Sequence, residues 1–272
     1  MDDFVKTCEE AARLGGGILL DWRNRFAVRE KGPADLVTEA DLASQEAIRR
    51  FVADRFPKHA FLGEESPDFS VLDSPYCWIV DPLDGTMNYV HGLPNYAVSV
   101  ALAHGGSVVA GTVFDPVSGE CFSAAAGRGA FCNGTRLATS GLSKLSRALV
   151  AVSFPTKINR DSPEISALLA ILPHCQAFRR MGSSALNLCY LAAGRIDAYW
   201  STSTKIWDIA AGILMVREAG GQVTGPAGRP FDLATGDFMA AATPPLHRAV
   251  LDVIGPSFDE RNASKVNVTG LN

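Results

Sequence analysis

Between residues 76 and 124 the chain carries a series of short apolar runs separated by turn residues, and this segment constrains the fold more than any other. The runs cover residues 76–80, 96–103, 108–114 and 120–124. Each has the length of a strand, and His104-Gly105-Gly106 and the Asp115-Pro116 break have the composition of turns. The pattern predicts a sheet built from hairpins.

Helical periodicity surrounds this segment. Apolar residues recur at helical spacing over 4–22, where three consecutive glycines imply close packing. A second helix should follow the N-cap Thr38 and stop near Phe56. From residue 148 onward, predicted strands at 148–153 and 198–200 alternate with predicted helices at 162–172, 184–193 and 208–219. This alternation favours a mixed α/β (α+β) protein.

The length and the absence of a long linker predict one unit over residues 1–272. We expect an N-terminal α+β half (1–145) and a C-terminal α/β half (146–272), packed as one body. The chain has 25 basic and 29 acidic residues, a net charge of −4. With no strong basic field, we expect no nucleic-acid partner, and any bound anion must be held locally.

No uncharged apolar run approaches the roughly 18 residues of a membrane span. The acidic start lacks the pattern of a secretory signal, so we expect a cytoplasmic protein without a membrane partner. The six cysteines form no Cys-x-x-Cys pair, and most have apolar neighbours, as buried thiols in a reducing compartment would. The spacing indicates neither a zinc site nor a disulfide framework.

The densest polar feature follows the first strand of the predicted sheet, in Trp78-Ile-Val-Asp81-Pro-Leu-Asp84-Gly85. Pro82 should end the strand, because it has no N–H to donate, and Gly85 should allow a tight turn. Two carboxylates then lie close together, an arrangement that repels unless a cation sits between them. Hard oxygen ligands suit Mg²⁺ or Mn²⁺. By itself the segment is more typical of a simple turn.

Two more acidic sites bear on this choice. Glu64 and Glu65 follow a predicted strand at 60–62, and Asp208 opens a predicted helix. Taken singly, an adjacent glutamate pair is typical of a solvated surface, and a helix-opening aspartate is typical of a cap.

Five ordered motifs resemble those of the inositol monophosphatase family. They lie at residues 35–41, 63–66, 78–92, 127–134 and 207–221, the last pairing Trp207-Asp208-Ile-Ala-Ala-Gly212 with Glu218-Ala-Gly-Gly221. The resemblance implies a layered sandwich of alternating helices and sheets, of the sugar-phosphatase type. It also implies Mg²⁺-dependent, lithium-sensitive hydrolysis of a phosphate monoester, with two or three ions at each site, and a homodimer.

The resemblance assigns roles to particular residues. The metal ligands would be Glu64, Asp81, the carbonyl of Leu83, Asp84 and Asp208. Gly85 and Thr86 would offer backbone N–H groups to the phosphate, and Asp41 would hydrogen-bond Thr86, whose hydroxyl orients the attacking water. Thr86, Asp41 and Glu64 would thus be catalytic. Paired divalent ions suit this reaction, since they can activate a water and stabilise the leaving oxygen.

The predicted leaving-group side departs from the family. Ser201 stands where inositol-specific members usually carry a glutamate, and losing such a hydrogen bond can shift substrate preference. Lys205 could contact a second anionic group or be solvated. The Gly182-Ser183-Ser184 loop matches a substrate-contacting loop, although Ser183 could equally be an N-cap. Asp208 would also face the substrate.

We therefore expect hydrolysis of a small polyol or sugar phosphate, with inositol 1-phosphate first. The alternatives are histidinol phosphate, fructose 1,6-bisphosphate and 3′-phosphoadenosine 5′-phosphate. From another class, the chain could be a regulatory binding protein that retains the fold.

Overall fold

The computed structural model describes residues 1–23, 25, 27–32, 35–202 and 204–259, with only the backbone for residues 30–32, 35 and 36. The opening residues of the 35–41 motif, Asp35 and Leu36, therefore have side chains outside the described part. The α-helices of the described residues are α1 (Asp2–Trp22), α2 (Glu39–Arg55), α3 (Thr86–Val90), α4 (Pro163–Ile171), α5 (Ser184–Ala192), α6 (Ile206–Glu218) and α7 (Pro244–Ile254).

Strands form three sheets. A two-stranded ribbon pairs β1 (Val28–Gly32) with β2 (Asp35–Thr38). A seven-stranded sheet joins, in spatial order, β3 (Ala60–Gly63), β4 (Tyr76–Asp84), β5 (Ala97–His104), β6 (Ser107–Asp115), β7 (Glu120–Ala125), β8 (Gly129–Cys132) and β9 (Thr135–Arg136). All its neighbours are antiparallel except β3 and β4.

The third sheet has five strands. They are β10 (Leu149–Val152), β11 (Ala177–Arg179), β12 (Ala198–Ser201), β13 (Gln222–Thr224) and β14 (Phe238–Ala241), in the order β11-β10-β12-β14-β13. The pairs made by β10 are parallel and the others are antiparallel.

Helices and sheets alternate in five layers. Helices α1 and α2 cover one face of the seven-stranded sheet, and α5 and α6 pack on its other face. The same α5 and α6 contact strands of the five-stranded sheet, and α7, which packs against α4, covers that sheet from outside. One apolar core includes Val113 and Phe122 of the first sheet and Val150 and Trp200 of the other. This is the layered sandwich that the resemblance implied.

Close packing explains two of the three glycines inside α1. A Cβ at Gly15 would lie 2.7 Å from Ser44 Oγ, and one at Gly16 would lie 2.6 Å from Phe114 Cδ1. Only hydrogen atoms fit at these two positions, so α1 can approach both α2 and the sheet. The expected close packing is confirmed at Gly15 and Gly16, whereas a Cβ at Gly17 would meet nothing within 4 Å.

Sequence patterns located most of the longer elements. The predicted hairpin sheet, the helix after Thr38 and the strand–helix alternation beyond residue 148 are all present. The prediction for Pro82 was wrong: β4 continues to Asp84, with a register irregularity between Asp81 and Asp84. An irregularity removes the need for a ladder N–H at that position, so proline is accommodated within the strand.

Other boundaries differ as well. Helix α6 begins at Ile206, two residues before the predicted start, and the short strands β8, β9, β11, β13 and β14 were not predicted, nor was α7. In the part of the chain that the structure describes, no helix has both the length and the apolar character to cross a membrane. The division into halves at residue 145 stays a prediction.

Candidate active site

The end of β4 places two carboxylates beside a tight turn. Asp81 is 2% exposed and accepts a hydrogen bond from the N–H of Leu83 at 2.9 Å. Gly85 has φ +98°, and a Cβ there would lie 2.9 Å from the carbonyl oxygen of Asn95. Both the left-handed backbone and the close approach therefore require glycine. Thr86 follows as the first residue of α3.

Glu64 reaches this turn from the neighbouring strand. Strand β3 runs parallel to β4, with Gly63 opposite Val80, and the N–H of Glu64 donates to the carbonyl of Val80 at 3.2 Å. The following residue, Glu65, is tied to α2, because its N–H donates to Gln45 Oε1 at 2.9 Å. The Glu64-Glu65 loop is thus fixed on two sides next to the end of β4.

Asp208 arrives from the opposite layer. Asp81 pairs with Ser99 of β5, and the Ser99 hydroxyl donates to the carbonyl of Trp207 at 3.1 Å. This bond anchors the first turn of α6 beside Asp81. Asp208 Oδ2 accepts the N–H of Lys205 at 2.9 Å, as the third helical residue of a capping box does, and its charge is among those that raise the pKa of Asp81. Asp208 therefore takes part in the capping of α6 and also belongs to the acidic cluster.

The carboxylates of Glu64, Asp81, Asp84 and Asp208 repel one another, and this repulsion changes their pKa values. Burial, followed by the charges of Glu64, Asp84 and Asp208, raises the pKa of Asp81 well above its ordinary range. Burial and the charges of Asp84 and Glu64 do the same to the pKa of Asp208. Burial raises the pKa of Asp84 to about 6. Hydrogen bonds to its carboxylate from Ser183, Ala185 and Ser184 oppose this increase. A divalent cation would relieve this repulsion.

The donor set suits a hard cation such as Mg²⁺, since every candidate ligand is a carboxylate or carbonyl oxygen. Among the described residues, no three His, Cys, Asp or Glu side chains form a ready-made metal-binding group. Three of the carboxylates, those of Asp81, Asp84 and Asp208, are engaged by backbone N–H groups. The fit therefore depends on donor type and charge coupling, not on a preformed cage.

The predicted contact between Asp41 and Thr86 is present. Thr86 Oγ1 lies 3.4 Å from Asp41 Oδ1 and 3.0 Å from the carbonyl oxygen of Leu83. Asp41 Oδ2 also accepts the N–H and hydroxyl of Thr38 at 2.9 and 2.5 Å, completing the capping box of α2. Burial raises the pKa of Asp41 to about 6, against the opposing effect of the Thr38 bonds.

The Gly182-Ser183-Ser184 loop docks on the second carboxylate of the turn. Ser183 is fully buried, donates to Asp84 Oδ2 and accepts the N–H of Leu186, so it is the N-cap of α5. The N–H groups of Ala185 and Ser184 donate to Asp84 at 2.8 and 3.2 Å. The Ser183 hydroxyl is thereby used within the protein.

A cavity of about 750 Å³ opens next to this cluster, and both Ser184 and Asp208 line it. Hydroxyl side chains dominate its wall: Ser153, Thr156, Ser184, Thr202, Thr204 and Thr235. Lys205 is its one cationic side chain within the described part of the chain, and Asp237 supplies a further carboxylate. Ser201 is fully buried, is not part of this wall and has no hydrogen-bond partner for its hydroxyl among the described residues.

The layered fold and an acidic cluster beside a polar cavity define a class of phosphomonoesterases. Two solved structures share the fold closely. The inositol monophosphatase from Anabaena has a TM-score of 0.84 at 32% identity, covering 93% of this chain and 95% of its own. The extragenic suppressor protein suhB from Bartonella henselae has a TM-score of 0.86 at 36% identity, covering 92% and 97%.

Sequence comparison gives the particular family. The model of the inositol monophosphatase family matches residues 1–257. Inositol monophosphatase 2 of Solanum lycopersicum is 40% identical over 271 residues, covering 94% of this chain and all of its own. A Pasteurella multocida protein named Nus factor SuhB is 39% identical over 264 residues, covering 96% and 98%. The chain belongs to the inositol monophosphatase family, as its motifs suggested.

Sequence reasoning found the residues at the turn and missed part of the cavity. The charges of Glu64, Asp81, Asp84 and Asp208 act on one another although the residues come from three distant segments, and their role as metal ligands stays a prediction. Asp237 was not singled out. Its only sequence signal is a lone acid after Gly236, and no local pattern connects that loop with Lys205.

Proposed function

We propose that this protein hydrolyses a cyclic polyol phosphate in a Mg²⁺-dependent reaction, with inositol 1-phosphate as the leading substrate. The observation that carries the proposal is the continuity of two features. The acidic cluster at the end of β4 and the hydroxyl-lined cavity share Asp208 and adjoin through Ser184. A phosphate at the cluster therefore places its leaving group against the hydroxyl side chains.

In this proposal Mg²⁺, or Mn²⁺, would be held by five groups: Glu64, Asp81, the carbonyl of Leu83, Asp84 and Asp208. Two or three such ions, when bound, would supply positive charge to the phosphate oxygens and lower the pKa of the attacking water. The protein contributes the rest of the phosphate site through the N–H groups of Gly85 and Thr86, which lie at the start of α3.

Thr86 orients the attacking water. Its single hydroxyl proton goes to Asp41 or to the Leu83 carbonyl, both within 3.4 Å. The oxygen lone pairs then remain free to accept a proton of the water, which directs that water's own lone pair toward phosphorus. Asp41 acts through Thr86 as a positioning group, and Glu64 completes the proposed catalytic set from the opposite side of the turn.

The cavity wall favours a polyol over a bisphosphate. Fructose 1,6-bisphosphate and 3′-phosphoadenosine 5′-phosphate each carry a second phosphate, and Lys205 alone would face that charge beside Asp237. Histidinol phosphate would place a cationic amine near Lys205. A kinetic panel over all four substrates tests the order, and a higher kcat/KM for any of the other three would overturn it.

A matched pair of variants tests the metal-dependent mechanism. Glu64→Gln removes a proposed ligand, whereas Glu46→Gln makes the same change at a half-exposed side chain of α2, which pairs with Arg49 and Arg50. We expect Glu64→Gln to lose about 10²-fold or more in kcat, the scale of an essential electrostatic contact, and Glu46→Gln to retain activity. Phosphate release that persists in EDTA, or in Glu64→Gln, would contradict the mechanism.

A second candidate comes from the relative named Nus factor SuhB, at 39% identity. In that case the fold would serve regulation through a partner protein. Replacing the cellular copy by the Asp81→Asn variant separates the two. Normal growth with this catalytically inactive variant would favour the regulatory role, whereas a growth defect equal to that of a deletion strain would favour catalysis.

Lithium inhibition and a homodimer also belong to this proposal, since both came from the family resemblance. A LiCl titration of phosphate release and light scattering of the purified protein test them directly.

A further inference from the structure

The leaving-group cavity contains an acid that no motif predicts. Ser201 cannot provide the carboxylate usual at its position, and its hydroxyl is buried without a partner among the described residues. A polyol leaving group needs hydrogen-bond acceptors of some kind. Of the side chains that line the cavity, two are carboxylates, and Asp208 already belongs to the acidic cluster. The remaining one is Asp237.

A close backbone contact holds Asp237 at the cavity. The preceding residue, Gly236, has φ +74°, and a Cβ there would lie 1.9 Å from the carbonyl oxygen of Thr204. The Thr204 hydroxyl donates to the carbonyl of Gly236. The loop before β14 is therefore pressed against the segment that precedes α6, although the two are distant in sequence.

The surroundings leave the Asp237 carboxylate available. Burial and the charge of Glu164 raise its pKa, and Lys205 lowers it. Glu164 is itself occupied, since it accepts the hydroxyl of Thr202. Within the described part of the chain, no hydrogen bond engages the carboxylate of Asp237; only its backbone N–H is bonded, to Thr235 Oγ1 at 3.4 Å.

We propose that Asp237 is a specificity-determining residue that accepts hydrogen bonds from neighbouring hydroxyl groups of the polyol leaving group, with Lys205 beside it. This inference rests on the proposed function and deepens it. The adjacent cation disfavours an amine at the same place, so the ligand chemistry is a neutral vicinal diol. The two oxygens of the carboxylate can each accept from one of two neighbouring hydroxyls, and these charge-assisted bonds are stronger than those to a serine or threonine hydroxyl.

The test compares Asp237→Asn with Asp232→Asn in the full-length protein. Asp232 lines the neighbouring larger cavity but not this one, so it matches the change in charge. Inositol 1-phosphate and para-nitrophenyl phosphate are assayed with Mg²⁺, because the second has the same phosphate without a diol. Calorimetric binding of free myo-inositol gives a readout independent of turnover, and thermal unfolding checks the fold of each variant.

For Asp237→Asn we expect KM for inositol 1-phosphate and Kd for myo-inositol to rise about 10- to 100-fold, the loss of a hydrogen bond to a charged group. Its kcat, and all parameters for the aryl phosphate, should stay at wild-type values, as should those of Asp232→Asn. Equal loss on both substrates would show a structural role and overturn the inference, as would unchanged myo-inositol affinity. Failure of the proposed function is separate: the wild type would release no phosphate from inositol 1-phosphate.

Discussion

Gly236→Ala offers a prediction whose size follows from the structure. Two costs add. Alanine in the left-handed backbone at φ +74° costs about 1–2 kcal/mol, and its Cβ would lie 1.9 Å from the Thr204 carbonyl oxygen. Relief of such an overlap costs about 1–3 kcal/mol more. The free energy of unfolding should therefore fall by about 2–5 kcal/mol, and Tm by about 4–20 °C for a domain of this size.

Gly119→Ala is the matched control. Gly119 has the same φ of +74°, but a Cβ there meets nothing within 4 Å. It should lose only the backbone cost of about 1–2 kcal/mol. Differential scanning calorimetry measures both variants, and urea titrations give the corresponding free energies. Equal losses in the two variants would refute the contact between Gly236 and Thr204 and, with it, the account of how Asp237 is placed.

The remaining predictions concern charge and catalysis. Asp81→Asn should raise Tm in EDTA by relieving repulsion, and it should abolish the further increase that Mg²⁺ gives the wild type; an Mg²⁺-induced increase that survives in a melting assay would contradict the ligand role. Thr86→Val should lower kcat about 10²-fold, because it removes the hydroxyl that orients the attacking water, with KM unchanged in steady-state assays. Burial lowers the pKa of His247, whose Nε2 lies 3.0 Å from Thr224 Oγ1. The unfolded chain therefore binds a proton at this histidine more readily than the folded protein does. The free energy of unfolding should decrease as pH falls below about 6.5. Against His247→Gln, the wild type should therefore lose Tm more steeply between pH 7.5 and 5.5; parallel pH profiles would contradict this.

The sequence carries the parts of the fold that depend on local patterning. The hairpin sheet and α2 were predictable because strand-length apolar runs and a capping residue signal them directly. Strands β9 and β13 have two and three residues, so alternation cannot reveal them, and their pairing depends on neighbours already in place. Helix α7 did have a signal, Thr243 followed by prolines at the first helical positions, which matches a helix start.

The candidate site also contains residues that local sequence patterns predict and residues whose position depends on contacts between distant segments. Asp81 and Asp84 were predictable because they end an apolar strand, and Glu64 and Asp208 joined them through motif order. Asp237 was not, because its place depends on the contact between Gly236 and Thr204. A serine at 201 predicted a weakened substrate contact, but only the fold shows that this side chain is enclosed.

Asp84 belongs to the seven-stranded sheet, while the donors that hold its carboxylate belong to the N-cap and first turn of α5. If the same carboxylate also binds a cation, then both the affinity for that cation and the position of α5 depend on Asp84. Thermodynamic reciprocity then requires each to influence the other. Substitutions that loosen α5 far from any carboxylate should consequently change ion affinity, which makes the seam between the layers a place to tune the enzyme without altering a ligand.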